Sequence, residues 1–140
     1  MMRDLYGQVI MDHYRRPRNR GELEDADLTR HLLNPLCGDE VTVYARFEGD
    51  RVAEASFTGR GCSISQASAS MMTERLRGKS REEAEAEISR FKRMMTGEEE
   101  FPEGDDLAAL KGVIQYPSRI RCATLAWEAF QQGLEEKGAP

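Results

Sequence analysis

No stretch of the chain approaches the roughly 18 consecutive apolar residues that a membrane-spanning helix needs. The longest uncharged stretch, residues 61–73, is rich in serine and other small residues. Positive charge is also in short supply: 20 lysines and arginines stand against 25 aspartates and glutamates, a net charge of −5. That balance argues against nucleic acid or an anionic membrane as the main partner. Neither a repeat nor a low-complexity tract is present, and 140 residues suit a single domain, 1–140, with a core of its own. The first twenty residues carry five arginines and no apolar signal core, so a cytoplasmic protein is expected. Nothing in the sequence requires more than a monomer.

Cysteine is scarce as well. Cys37, Cys62 and Cys122 are an odd count, separated by 25 and 60 residues with no C-x-x-C among them, which fits no short disulfide framework. In a reducing compartment the choices are buried thiols, a reactive thiol or a metal site. Spacing does not choose between them.

The pattern along the chain is mixed. Val9, Ile10, His13 and Tyr14 recur with Leu5 and Tyr6 at helical intervals, and Pro17 ends that helix. Residues 28–33 suit a short strand. Val41, Val43, Ala45 and Phe47 alternate with polar residues, Gly49-Asp50 turns, and Val52, Ala55 and Phe57 continue as the second arm of a hairpin. After Cys62 a helix is expected to about Leu76, with Ser63 and Gln66 in the form of a capping box. Ser80 can cap a further helix with Ala84, Ile88, Phe91 and Met95 on one face. Residues 98–106 hold six acids and no base and read as a solvated, mobile loop, with a short helix from Asp105 to Leu110. A last helix after Pro117 puts Ile120, Ala123, Trp127, Phe130 and Leu134 in one stripe. This order predicts an α+β fold, a small antiparallel sheet of about three strands with helices packed on one face. Ser65, Ser68 and Ser70 read as small residues of a tightly packed helix, and Met71-Met72 and Met94-Met95 as core filling.

Each cysteine has a distinctive setting. Cys37 lies in Asn34-Pro35-Leu36-Cys37-Gly38-Asp39, a loop stiffened by proline and loosened by glycine. Cys62 is expected at the start of one helix and Cys122 in the first turn of another, where free N–H groups and the helix dipole favour a thiolate. Three thiolates and the Asp39 carboxylate would make four tetrahedral ligands for Zn²⁺, leaving a net charge of −2 that Arg121, beside Cys122, could offset in part. A carboxylate among thiolates is an exchangeable ligand, which suggests a zinc site that can open. Three inert core thiols are the plainer alternative, and a Cys–His hydrolase using His13 or His31 is another.

The sequence resembles the SufU-type proteins, within the family of iron–sulfur cluster assembly scaffolds that includes IscU and the N-terminal domain of NifU. The resemblance rests on Asp12-His13-Tyr14 with Pro17-Arg18-Asn19, on residues 34–39, on Gly59-Arg60-Gly61-Cys62-Ser63-Ile64-Ser65, and on Pro117-Ser118-Arg119-Ile120-Arg121-Cys122-Ala123. Scaffolds of the IscU type usually carry histidine before the third cysteine; this chain has Arg121 there and a long acidic stretch between the second and third cysteines, as SufU-like proteins do.

The resemblance implies a zinc-dependent sulfurtransferase with Zn²⁺ on Cys37, Asp39, Cys62 and Cys122. It implies that Cys37 accepts persulfide sulfur from a PLP-dependent, SufS-type cysteine desulfurase and passes it to the downstream Suf scaffold complex. PLP would belong to the desulfurase. Arg121 is the candidate for steadying the anionic persulfide. The alternatives are a scaffold for a transient [2Fe-2S] cluster on the same residues, and a non-catalytic zinc protein that activates the desulfurase. The basic first twenty residues could dock on that partner, although a solvated helix face explains them as well.

Overall fold

A computed structural model describes residues 2–36 and 38–137, with the side chains of residues 7–36 and 38–136. Cys37, and the side chains of Leu5 and Tyr6, lie outside the described residues. Helix α1 (Met2–Arg15) is followed by strands β1 (Leu28–Asn34), β2 (Asp39–Glu48) and β3 (Arg51–Arg60). Then come α2 (Ser63–Leu76), α3 (Arg81–Met95), a 3-10 helix (Asp106–Gln115) and α4 (Pro117–Lys137). The strands form one antiparallel sheet in the order β1-β2-β3.

Alternation along β2 explains why only one face is covered. Val41, Val43 and Ala45 are buried under the helices, while Thr42, Tyr44 and Arg46 between them stay partly exposed. Helix α4 lies across β1 and β2, and α2 across β3. Gly133 brings α4 close to the sheet, because a Cβ there would stand 2.7 Å from the Leu28 side chain. The expected α+β sheet with helices on one face is the observed architecture.

Helix α2 is buried on nearly every side, which its small residues permit. Its hydroxyls are consumed inside the protein. Ser68 Oγ donates to the Ala123 carbonyl at 2.5 Å and accepts the Trp127 indole N–H at 2.9 Å. Thr73 accepts from the Asn19 amide at 3.1 Å, which fastens the Pro17-Arg18-Asn19 segment to α2. That segment also runs beside β3: Asn19 O accepts the Phe57 N–H, and Phe57 O accepts the Gly21 N–H. Trp127 and Phe91 stack at 4.2 Å and 9°, joining α3 to α4, and both are fully buried. Both methionine pairs lie in the core.

Three expectations are corrected. Helix α2 is capped by Cys62 without a side-chain cap bond; Ser63 is already its first residue, so the capping box does not form. The capping box is instead on α3, between Ser80 and Glu83, whose carboxyl that bonding holds below its usual range. Secondly, Cys122 is the sixth residue of α4, beyond the first-turn amides.

Lastly, the acidic stretch 98–106 is clasped and not loose. Phe101 is buried beneath the Arg75 and Arg90 guanidiniums, and Glu99 pairs with Arg90 and Arg93. Asp105 pairs with Arg75 and caps the 3-10 helix. Six acids in a row of nine read as solvated because their bases come from α2 and α3. The basic first twenty residues are partly self-neutralised: Arg18 and Arg16 both bond Asp12 and hold its carboxyl below the usual range.

Replacing Phe91 with alanine is expected to cost about 3–5 kcal/mol, as for other buried aromatics. Urea denaturation measures this; a loss below about 1 kcal/mol would mean the α3–α4 stack is not structural.

Candidate metal centre

The centre is assembled where the sheet meets two helices. Asp39 is the first residue of β2 and pairs in register with Asn34, the last of β1, so their side chains share the buried face. Both residues are 1% exposed. Such a carboxylate needs partners. Asp39 Oδ1 accepts the backbone N–H of Cys62 at 2.9 Å, and Oδ2 lies 3.8 Å from Cys62 Sγ.

Glycine at position 61 makes this seat possible. A Cβ there would fall 2.2 Å from Asp39 Oδ1 and 2.7 Å from Ser65 Oγ. Ser65 in turn donates to the Cys62 carbonyl, which secures the first turn of α2. The Asn34 carboxamide has no hydrogen-bond partner among the described residues, an orphaned buried group directly opposite Asp39.

Donor atoms of Asp39, Cys62 and Cys122 all lie within 4.8 Å of one another. Cys122 is fully buried and Cys62 only partly, so the group opens to one side. With bonds of about 2.3 Å to sulfur and 2.0 Å to oxygen, sulfur and oxygen ligands of a tetrahedral ion stand about 3.5 Å apart. The 3.8 Å between Asp39 and Cys62 is close to that figure. One carboxylate and two sulfurs of this spacing fit a zinc-type ion.

The arginine beside the sulfurs is Arg119. Its guanidinium is held above its ordinary range by the charge on Cys62 first, then by a hydrogen bond to Cys62 and the charge on Cys122. Arg121 is 56% exposed and faces Glu128 at 4.0 Å. Helix geometry accounts for the difference. Residue 119 is three before Cys122 and shares its face of α4, whereas the adjacent residue 121 is turned roughly 100° away. Sequence adjacency singled out Arg121; the i, i+3 spacing to Cys122 is the signal that would have found Arg119.

Neither histidine belongs to this group. His13 is buried against Ser70 and Asp106, and His31, half exposed on β1, faces Glu40 at 3.7 Å. That arrangement gives no support to a Cys–His hydrolase. Beside the centre, Leu36 is 89% and Leu33 54% exposed.

A family model described as the NifU-like N-terminal domain matches residues 5–136. The chain is 47% identical over 135 residues to the zinc-dependent sulfurtransferase SufU of Bacillus subtilis, covering 95% of this chain and 91% of that protein. It is 39% identical to the iron–sulfur cluster assembly scaffold protein IscU of Streptococcus pyogenes, covering 94% and 83%. Among solved structures, an iron–sulfur cluster assembly scaffold protein for the SUF system from Fervidobacterium islandicum superposes with a TM-score of 0.83. It is 36% identical, with 91% of this chain and 94% of that one covered. No helix of the described residues is long and apolar enough to cross a membrane.

Removing the carboxylate should expose its structural share. In metal-free protein, Asp39→Ala leaves the Cys62 amide unpaired and is expected to lower stability by about 1–3 kcal/mol. Gly61→Ala, which displaces the same carboxylate, should act in the same direction. Unchanged urea midpoints in both variants would mean that the Asp39–Cys62 bond contributes nothing.

Proposed function

The chain belongs to the NifU-like N-terminal domain family, and from that premise we propose that it is a zinc-dependent sulfurtransferase of iron–sulfur cluster assembly. It would take persulfide sulfur from a PLP-dependent, SufS-type cysteine desulfurase and hand it to the downstream Suf scaffold complex in the cytoplasm. The observation that carries this reading is the convergence of Asp39, Cys62 and Cys122. The 47% identity to a protein named for zinc-dependent sulfur transfer supports it.

Cys37, Asp39, Cys62 and Cys122 would hold the ion. Zinc, when bound, keeps thiols as thiolates at neutral pH and fixes them in place. Asp39 and Cys62 are locked to one another through the backbone amide, and Cys122 is buried in α4, so these three are the stationary donors. Cys37, on a loop between Pro35 and Gly38, is assigned the mobile role.

Its thiolate attacks the terminal sulfur of the partner's persulfide. A new S–S bond forms at Cys37, the partner's S–S bond breaks, and the desulfurase cysteine leaves as thiolate. Charge balances throughout, and no external oxidant or reductant is needed. Arg119 supplies the cation beside this negative cluster. Arg121, the residue singled out from sequence, is assigned a surface role in partner contact.

A second reading, a scaffold for a transient [2Fe-2S] cluster, is favoured by the 39% identity to a protein named as such a scaffold. The two separate experimentally. Elemental analysis of purified protein is expected to give one zinc per chain, and added protein should accelerate desulfurase turnover. Cys37→Ser should abolish that acceleration. Iron with a visible absorption band and no acceleration would replace the sulfurtransferase with the scaffold. Acceleration that survives Cys37→Ser would leave a zinc protein that only activates the desulfurase.

Chelation is expected to lower the thermal midpoint, because binding energy to a folded site is folding energy; an unchanged midpoint counts against the zinc site. Arg119→Gln should reduce acceleration several-fold while Arg121→Gln changes it much less. The reverse order would return the charge role to Arg121.

A further inference from the structure

Near the far end of α1 a second group of ligating side chains converges. His13 is 1% exposed, and its two ring nitrogens face different surroundings. Nδ1 is 2.8 Å from Ser70 Oγ, an oxygen that also accepts the Arg18 backbone N–H at 2.8 Å. Nε2 lies 2.7 Å from Asp106 Oδ2, with which it is hydrogen-bonded, and 3.9 Å from Glu74 Oε1. The three donor atoms lie within 4.8 Å of one another and come from α1, α2 and the 3-10 helix.

Two carboxylates face one nitrogen, and a single proton on Nε2 can satisfy only one of them. With the proton on Nδ1, Ser70 Oγ has a second lone pair to accept it. Without an ion, Nε2–H donates to Asp106 at 2.7 Å; an ion would replace that proton and sit between the Nε2 lone pair and the two anions. The neighbouring base does not supply that cation, because Arg75 is engaged by Asp105 and approached by Glu87. An imidazole whose other nitrogen is fixed by a hydrogen bond is how metal-ligating histidines are oriented.

Space and access suit an ion with water ligands. Glu74 and Asp106 are 48% and 50% exposed and line an open cavity of about 400 Å³ together with Arg75 and Lys79. Nitrogen and oxygen ligands bound at about 2.1 Å stand about 3.0–3.4 Å apart. The observed separations of 2.7 and 3.9 Å bracket that range, and the half-exposed carboxylates have room to adjust.

We propose that His13, Glu74 and Asp106 form a second metal centre, which takes one hydrated divalent first-row transition ion such as Mn²⁺. One imidazole and two carboxylates make a harder donor set than cysteine thiolates, so the two centres discriminate between ions. The ion would join the 3-10 helix to α1 and α2.

The probe is Mn²⁺ titrated into the full chain as purified, followed by the loss of the free-ion EPR signal. Elemental analysis before and after shows whether the ion already on the protein is retained. Uptake of one Mn²⁺ per chain without loss of that ion is expected. Glu74→Gln and Asp106→Asn, at half-exposed positions that leave the core intact, should each weaken uptake at least about tenfold. No uptake at millimolar Mn²⁺, or equal uptake by both folded variants, overturns the second centre. Uptake matched by loss of the resident ion overturns it as well, because Mn²⁺ would then be exchanging at the cysteines.

Discussion

The hydrogen bond from the Cys62 amide to the Asp39 carboxylate governs the geometry of the whole centre. It joins the first residue of β2 to the residue that caps α2, two points 23 positions apart in the chain. Asp39 is thereby both a buried anion with a donor and a group held at ligand distance from a sulfur. The glycine at 61 exists in this arrangement to leave the carboxylate room. Alternation along β2 from the same anchor puts Val41, Val43 and Ala45 on the core face with Asp39.

The remaining framework positions the third donor. Cys122 depends on α4 lying flat on β1 and β2, which requires the close approach at Gly133 and the Trp127–Phe91 stack. Ser68 connects that packing to α2, because its hydroxyl holds Ala123, the residue next to Cys122, and Trp127 together. The core and the centre are therefore one mechanical unit.

Much of this was legible in the residues themselves. Alternation at 41–47 and 52–57 gave strands in place, and the stripe from Ile120 to Leu134 gave α4, because a half-buried element writes its burial into its own period. The cysteine-centred motifs singled out Asp39 together with Cys37, Cys62 and Cys122, of which Asp39, Cys62 and Cys122 converge among the described residues. What could not be read locally was pairing between distant elements. The acidic run 98–106 looked solvated because its arginines belong to α2 and α3, and Arg121 looked closer to the centre than Arg119 because sequence adjacency is not adjacency on a helix. Cys62 displaced Ser63 as the cap through the bond to Asp39, a tertiary contact that no local capping pattern encodes.

The donors at 39 and 62 sit on a hairpin and the helix that follows it, whereas Cys122 arrives with the last helix. In a chain emerging from its N-terminus, the first two can meet while the third is still unmade. Contacts of long sequence separation are the slow ones to form, since loop closure must precede them. An ion encountered early would find an incomplete cage, with one wall missing until α4 docks. Completion of the group thus reports completion of the fold, and any ion it takes would be bound late in the molecule's own assembly.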